Sequence, residues 1–71
     1  MSQGLDKRIL IEEQMAGLES RLRLLNSRIV EAERFIFARP GHQATISRYN
    51  ILCHNRSEVL TKIRVLKGRM S

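Results

Sequence analysis

Apolar residues recur in alternating steps of four and three through the first half of the chain: Ile11, Met15, Leu18, Leu22, Leu25, Ile29, Ala32 and Ile36. This is the heptad spacing of an amphipathic helix with one narrow seam. Met15, Leu22, Ile29 and Ile36 take the a positions, and Ile11, Leu18, Leu25 and Ala32 take d. A second seam follows, with Tyr49, Arg56, Ile63 and Met70 at a and Thr45, Leu52, Val59 and Leu66 at d. It is broken by the charge of Arg56 and opens weakly at Thr45. Gly17 interrupts the first helix, where an interior glycine costs about 1 kcal/mol against alanine unless it admits a close neighbour.

The two seams mate in a single antiparallel register. In such a pair a faces d, which matches Met15 with Leu66, Leu22 with Val59, Ile29 with Leu52 and Ile36 with Thr45. The other set matches Ile11 with Met70, Leu18 with Ile63, Leu25 with Arg56 and Ala32 with Tyr49. Every pair folds about one point, midway between Pro40 and Gly41. Proline disfavours helical geometry at the residue before it, and glycine accepts the positive φ that a tight helix exit often needs. Proline can also open a helix at its first position. The expected fold is therefore all-α: an antiparallel, coiled-coil-like helical hairpin of two long amphipathic helices. The whole chain, 1–71, forms one domain, with helix one over about 5–38, a turn over about 39–42 and helix two over about 43–70. The rival is one long bent helix in an intermolecular coiled coil.

The flanks of the seam differ in character. Antiparallel packing sets g beside g and e beside e. The g positions are Gln14, Arg21, Arg28 and Phe35 in helix one, and Arg48, Asn55, Lys62 and Arg69 in helix two. Arg21, Arg28, Arg48, Lys62 and Arg69 make a ridge without an acid. Like charges along an exposed seam repel weakly, so this ridge is a candidate surface for an anionic partner. The e positions are Glu12, Glu19, Asn26 and Glu33, then Ile46, Cys53, Leu60 and Lys67. Ile46, Cys53 and Leu60 widen the apolar stripe of helix two. At b and c, helix one adds Ile9, Leu10, Ala16, Leu24, Val30 and Phe37. A lone hairpin cannot bury them all, and a contiguous apolar set marks an interface. The expected partner interface is Ile9, Leu10, Leu24, Val30, Phe37, Ile46, Cys53 and Leu60, covered by a copy of the chain or by another protein. Residues 1–10 overhang the register, taking Leu5 with them.

Composition agrees. A chain of 71 residues buries a thin core and gains from completion by oligomerisation or a partner. The formal charge is +6. Residues 1–39 hold seven Lys or Arg against six Asp or Glu, whereas residues 40–71 hold six against Glu58 alone. This is a basic protein whose charge resides in its second helix. No apolar run is long enough to span a bilayer, and acids follow soon after the first apolar residues, unlike a signal peptide. A single cysteine excludes an internal disulfide and fits a reducing, cytoplasmic setting.

Catalytic chemistry finds no constellation. Cys53 and His54 are adjacent but point to different helix faces, and Asp6 lies at the far end of the hairpin from His42. No Cys/His spacing suits a metal, and isolated glycines build no phosphate cradle. The expectation is no enzyme, no cofactor and no catalytic or metal-binding residue. Arg56 is placed to reach Asn26 or a partner acid, or to set register.

The long heptad helix with "MAGLESRLRLL", the turn at "RPGHQ" and the amphipathic "ISRYNILCHNRSEVLTKIRVL" resemble in layout the small co-chaperones of type III secretion needle subunits. The resemblance spans the chain, shares no specific motif, and departs from the family in the basic second helix. It implies a two-helix hairpin that binds a helical-repeat co-chaperone and helps keep the needle subunit from polymerising. The needle subunits also bend a hairpin at proline. The leading expectation is thus a protein–protein interaction module, an adaptor or co-chaperone docking on a helical partner. One alternative is a small nucleic-acid-binding regulator of RNA or DNA, acting as a dimeric four-helix bundle and similar in kind to a plasmid RNA-binding regulator. Another is a phage-type inhibitor of a host protein.

Overall fold

The computed structural model describes the backbone of residues 3–70 and the side chains of residues 7–69. Two helices account for nearly all of it: α1, Gln3–Ala38, and α2, Gln43–Met70. They pack against each other as an antiparallel hairpin measuring 59 × 16 × 15 Å. The all-α hairpin expected from the two seams is the fold observed. No helix among the described residues is long and apolar enough to cross a membrane.

Every described seam residue is buried or half-buried. Leu25, Ile29, Ala32, Leu52, Val59 and Ile63 form the core, with Met15, Leu18, Leu22, Tyr49 and Cys53 packed against it. Leu66 is buried as well. The side chain of Met70 and that of Leu5 lie outside the described residues. Burial is deepest in the middle third of the hairpin and weakens in α1 toward Met15 and Ile11, before which α1 outruns its partner. No polar side chain is buried among the described residues, so this core rests on apolar contact alone.

The bend has a specific construction. The last helical bond of α1 runs from the Arg39 N–H to the Phe35 carbonyl at 2.8 Å. Pro40 has no N–H to continue the ladder. The His42 N–H then donates to the Arg39 carbonyl at 3.2 Å, closing a four-residue turn with Pro40 second and Gly41 third. Neither Gly41 nor any other described residue takes a positive φ. The turn is therefore of the type that proline favours and that most residues tolerate at its third position. This corrects two expectations. Gly41 is not needed for a left-handed backbone, and a Cβ there would meet nothing within 4 Å. Pro40 sits inside the turn rather than at the first position of α2.

His42 caps α2. Its carbonyl accepts the Ile46 N–H at 3.2 Å, the first bond of the helix. Its Nδ1 accepts the Thr45 N–H at 3.3 Å and lies 2.7 Å from Thr45 Oγ1. This is the work that Ser, Thr, Asn or Asp usually does at a helix start, here done by an imidazole nitrogen. His42→Ala is expected to cost about 1 kcal/mol. His42→Asp should keep the stability, since a carboxylate both caps and complements the positive helix end. Thermal melts of the two variants test this.

Gly17 is likewise unconstrained. A Cβ at this position would meet nothing within 4 Å, so no close approach explains it. Gly17→Ala should stabilise the chain by about 1 kcal/mol. A midpoint unchanged or lowered in urea would contradict this.

Candidate protein-interaction surfaces

The g rows of α1 and α2 flank the same edge of the hairpin, which carries two grooves. The groove near the bend holds about 500 Å³ and is lined by Arg28, Glu31, Ala32, Phe35, Thr45, Arg48 and Leu52. The groove near the open end holds about 560 Å³. Its lining includes the apolar Leu18, Val65 and Leu66 and the cations Arg21, Lys62 and Arg69. All five predicted ridge cations thus share one edge, in two clusters. They are exposed, and none has a carboxylate within ion-pair distance among the described residues. The bend-end cluster contains Glu31, which the sequence reading left out of the ridge; the open-end cluster contains no acid.

The predicted apolar interface is not one surface. Ile9, Leu10, Leu24, Val30, Phe37 and Leu60 are all exposed, Phe37 to 90%. Ile46 and Cys53 are half-buried, and Cys53 packs on the core, so these two widen the seam more than they offer a docking face. Helical geometry divides the rest, because b lies beside e on a helix and c lies beside g. Gly17 and Val65, both at c, line the groove of the g edge. Leu10 and Leu24 occupy the same row as Gly17 and belong on that side, away from Ile9, Val30, Phe37 and Leu60. Two exposed residues of α2, Ile51 and Val65, were missed. Both are at c, and counting c positions in α2 as well as α1 would have found them.

Phe35 and Phe37 have different roles. The Phe35 ring meets the His42 ring edge-on, with centroids 5.1 Å apart, and the Arg39 guanidinium lies 5.8 Å from its centre. Phe35 therefore wraps the bend and ties the end of α1 to the cap of α2. Phe37 projects into solvent.

On the e edge, the Tyr49 hydroxyl donates to Glu33 Oε2 at 3.1 Å, the one side-chain hydrogen bond between the helices among the described residues. The Tyr49 pKa is raised, first by a hydrogen-bonding contact with the Cys53 thiol and then by Glu33, whose carboxylate opposes a neighbouring phenolate. A raised folded value means that this stabilisation is present below the ordinary tyrosine pKa of about 10 and is lost as pH rises through the shifted one. Tyr49 is the only tyrosine, so tyrosinate absorbance should titrate at higher pH in the folded chain than in urea. Coincident titrations would contradict the contact.

Other candidate sites come to less. Arg56 is half-buried in the seam, yet no hydrogen bond or ion pair joins it to another described side chain. The expected contact with Asn26 is not made; Asn26 is exposed on the e edge. His54 Nε2 lies 2.9 Å from Glu58 Oε1, one turn on along α2, an exposed pair of small energetic weight. No group of three potential metal ligands occurs among the described residues.

The fold and its edges define a class, the antiparallel helical hairpin with charged and apolar faces left open. No protein family matches this chain, and no curated protein or solved structure matches it.

Proposed function

We propose that this chain is a non-enzymatic protein-interaction module of the cytoplasm, a helical-hairpin adaptor or co-chaperone that docks on a helical partner. One observation carries the reading. Nine large hydrophobic side chains are exposed, against seven buried and five more packed partly buried on them, and only Phe35 of the nine is engaged at the bend, so the described hairpin leaves a large apolar surface open. The exposed residues fall in rows along the helices, as an interface between helices requires. A phage-type inhibitor of a host protein would use the same rows.

A second reading, nucleic-acid binding, draws on the five cations of the g edge, none of which meets a carboxylate among the described residues. It lacks a free stacking platform on that edge, since the exposed Phe37 lies on the other side of the hairpin. Tyr49 is held in the seam by Glu33, and Phe35 is engaged by His42 and Arg39. Such binding would read charge and shape and would weaken steeply with salt.

Light scattering of the purified chain, with and without RNA or DNA at two salt concentrations, tests the choice. A mass above the monomer that ignores nucleic acid supports the interaction module, as does a monomer that melts without cooperativity and ignores nucleic acid. A cooperatively melting monomer with salt-sensitive nucleic-acid binding overturns it in favour of the second reading.

A further inference from the structure

The acidic and basic rows of this hairpin cannot meet within one molecule. Arg21, Lys62 and Arg69 line one groove, so the g rows of both helices share an edge. The e row of α1, with Glu12, Glu19 and Glu33, lies on the opposite edge, where Glu33 meets Tyr49. Both rows nevertheless carry the same code. Read forward along α1, the e row is Glu12, Glu19, Asn26, Glu33. Read backward along α2, the g row is Arg69, Lys62, Asn55, Arg48. Acid meets base at three positions, and the two neutral asparagines coincide. The repeats also coincide in length, since seven helical residues advance about 10 Å on either helix.

The neighbouring rows continue the match. The b row of α1 beside those acids is Ala16, Arg23, Val30 and Phe37; the reversed c row of α2 is Val65, Glu58, Ile51 and, at the preceding heptad, Ala44. Apolar residues again face apolar ones, and the one charge on each side, Arg23 and Glu58, is of opposite sign. Val30, Phe37, Ile51 and Val65 are exposed in the hairpin. A two-fold dimer through the g edges would instead set cations on cations.

We propose that the partner of this hairpin is a second copy of the chain, the e and b face of α1 taking the g and c face of α2 from the next copy, antiparallel. The inference rests on the interaction-module reading and names its partner. Such a contact joins two different surfaces, so each added copy presents the same free faces as the last. The assembly grows head to tail, as an open chain or a closed ring, rather than stopping at a dimer.

Two charge-reversed variants test it. One carries Lys62→Glu and Arg69→Glu; the other carries Glu12→Lys and Glu19→Lys. Circular dichroism confirms that both remain helical. For the natural chain, light scattering should show a mass that rises with concentration and falls with salt. Each variant alone should associate about tenfold more weakly or worse, because two exposed pairs become repulsions. An equimolar mixture should recover assembly, since reversed faces again find opposite ones. A discrete dimer indifferent to both variants, or a mixture that is not rescued, overturns the proposed contact. A monomer that melts without cooperativity and ignores nucleic acid also overturns it, while supporting an interaction module with a different partner. A cooperative monomer that binds nucleic acid overturns both.

Discussion

Ile29→Ala is expected to cost about 2–5 kcal/mol, enough to unfold much of a domain of this size at room temperature. Ile29 is the most deeply buried of the core residues, at 2% exposure. Its register mate Leu52 and the next core residues along α1, Leu25 and Ala32, are buried around it. Two helices cannot close over a cavity from all sides, but they cannot refill it either, because the neighbours are held by the same seam. The loss therefore includes both the transferred methyl groups and the lost contacts around them. Exposed Val30→Ala is the control and should move stability by a few tenths of a kcal/mol. Urea melts by circular dichroism separate the two. Equal costs would mean that the seam is not the core.

Arg56→Leu should act in the opposite direction. Arg56 takes a seam position facing Leu25 in the register, half-buried and joined to no carboxylate among the described residues. A charge there loses hydration without gaining a partner, though its aliphatic stem covers some of the seam. Leucine completes the apolar row and should add about 1–2 kcal/mol. For a chain of this size, that raises Tm by several degrees, on the order of 4–8 °C per kcal/mol. If Arg56→Leu lowers Tm, the arginine has a partner that this register does not supply. If it stabilises the hairpin but changes the mass in solution, Arg56 also limits which helices may pair, the usual use of a polar seam residue.

Much of the architecture was legible because it rests on periodicity. Spacing alone placed each described seam residue on the buried side, and the register put the bend at Pro40–Gly41, where the chain turns. The helix bounds differed only at the start: α1 begins at Gln3, about two residues before the expected position. The chemistry of the bend was less legible. Proline and glycine suggested a left-handed exit, whereas the turn uses ordinary backbone angles and a histidine cap. An imidazole caps only when its ring can rotate onto the N–H three residues on, and that depends on a turn not visible in a string of letters.

The surfaces divide in the same way. Which residues are charged and which apolar, and that the g positions are basic, followed from sequence, because a heptad position is a property of one helix. How those rows combine was decided by tertiary structure. Antiparallel packing brings the g rows of both helices around common grooves. It assigns Leu10 and Leu24 to the groove side and Phe37 to the other, and it draws Ile46 and Cys53 inward. It also separates the glutamates of α1 from the cations of α2. A helix sets the direction of each side chain about its own axis; only the second helix determines which directions are closed, which are shared and which are left for another chain.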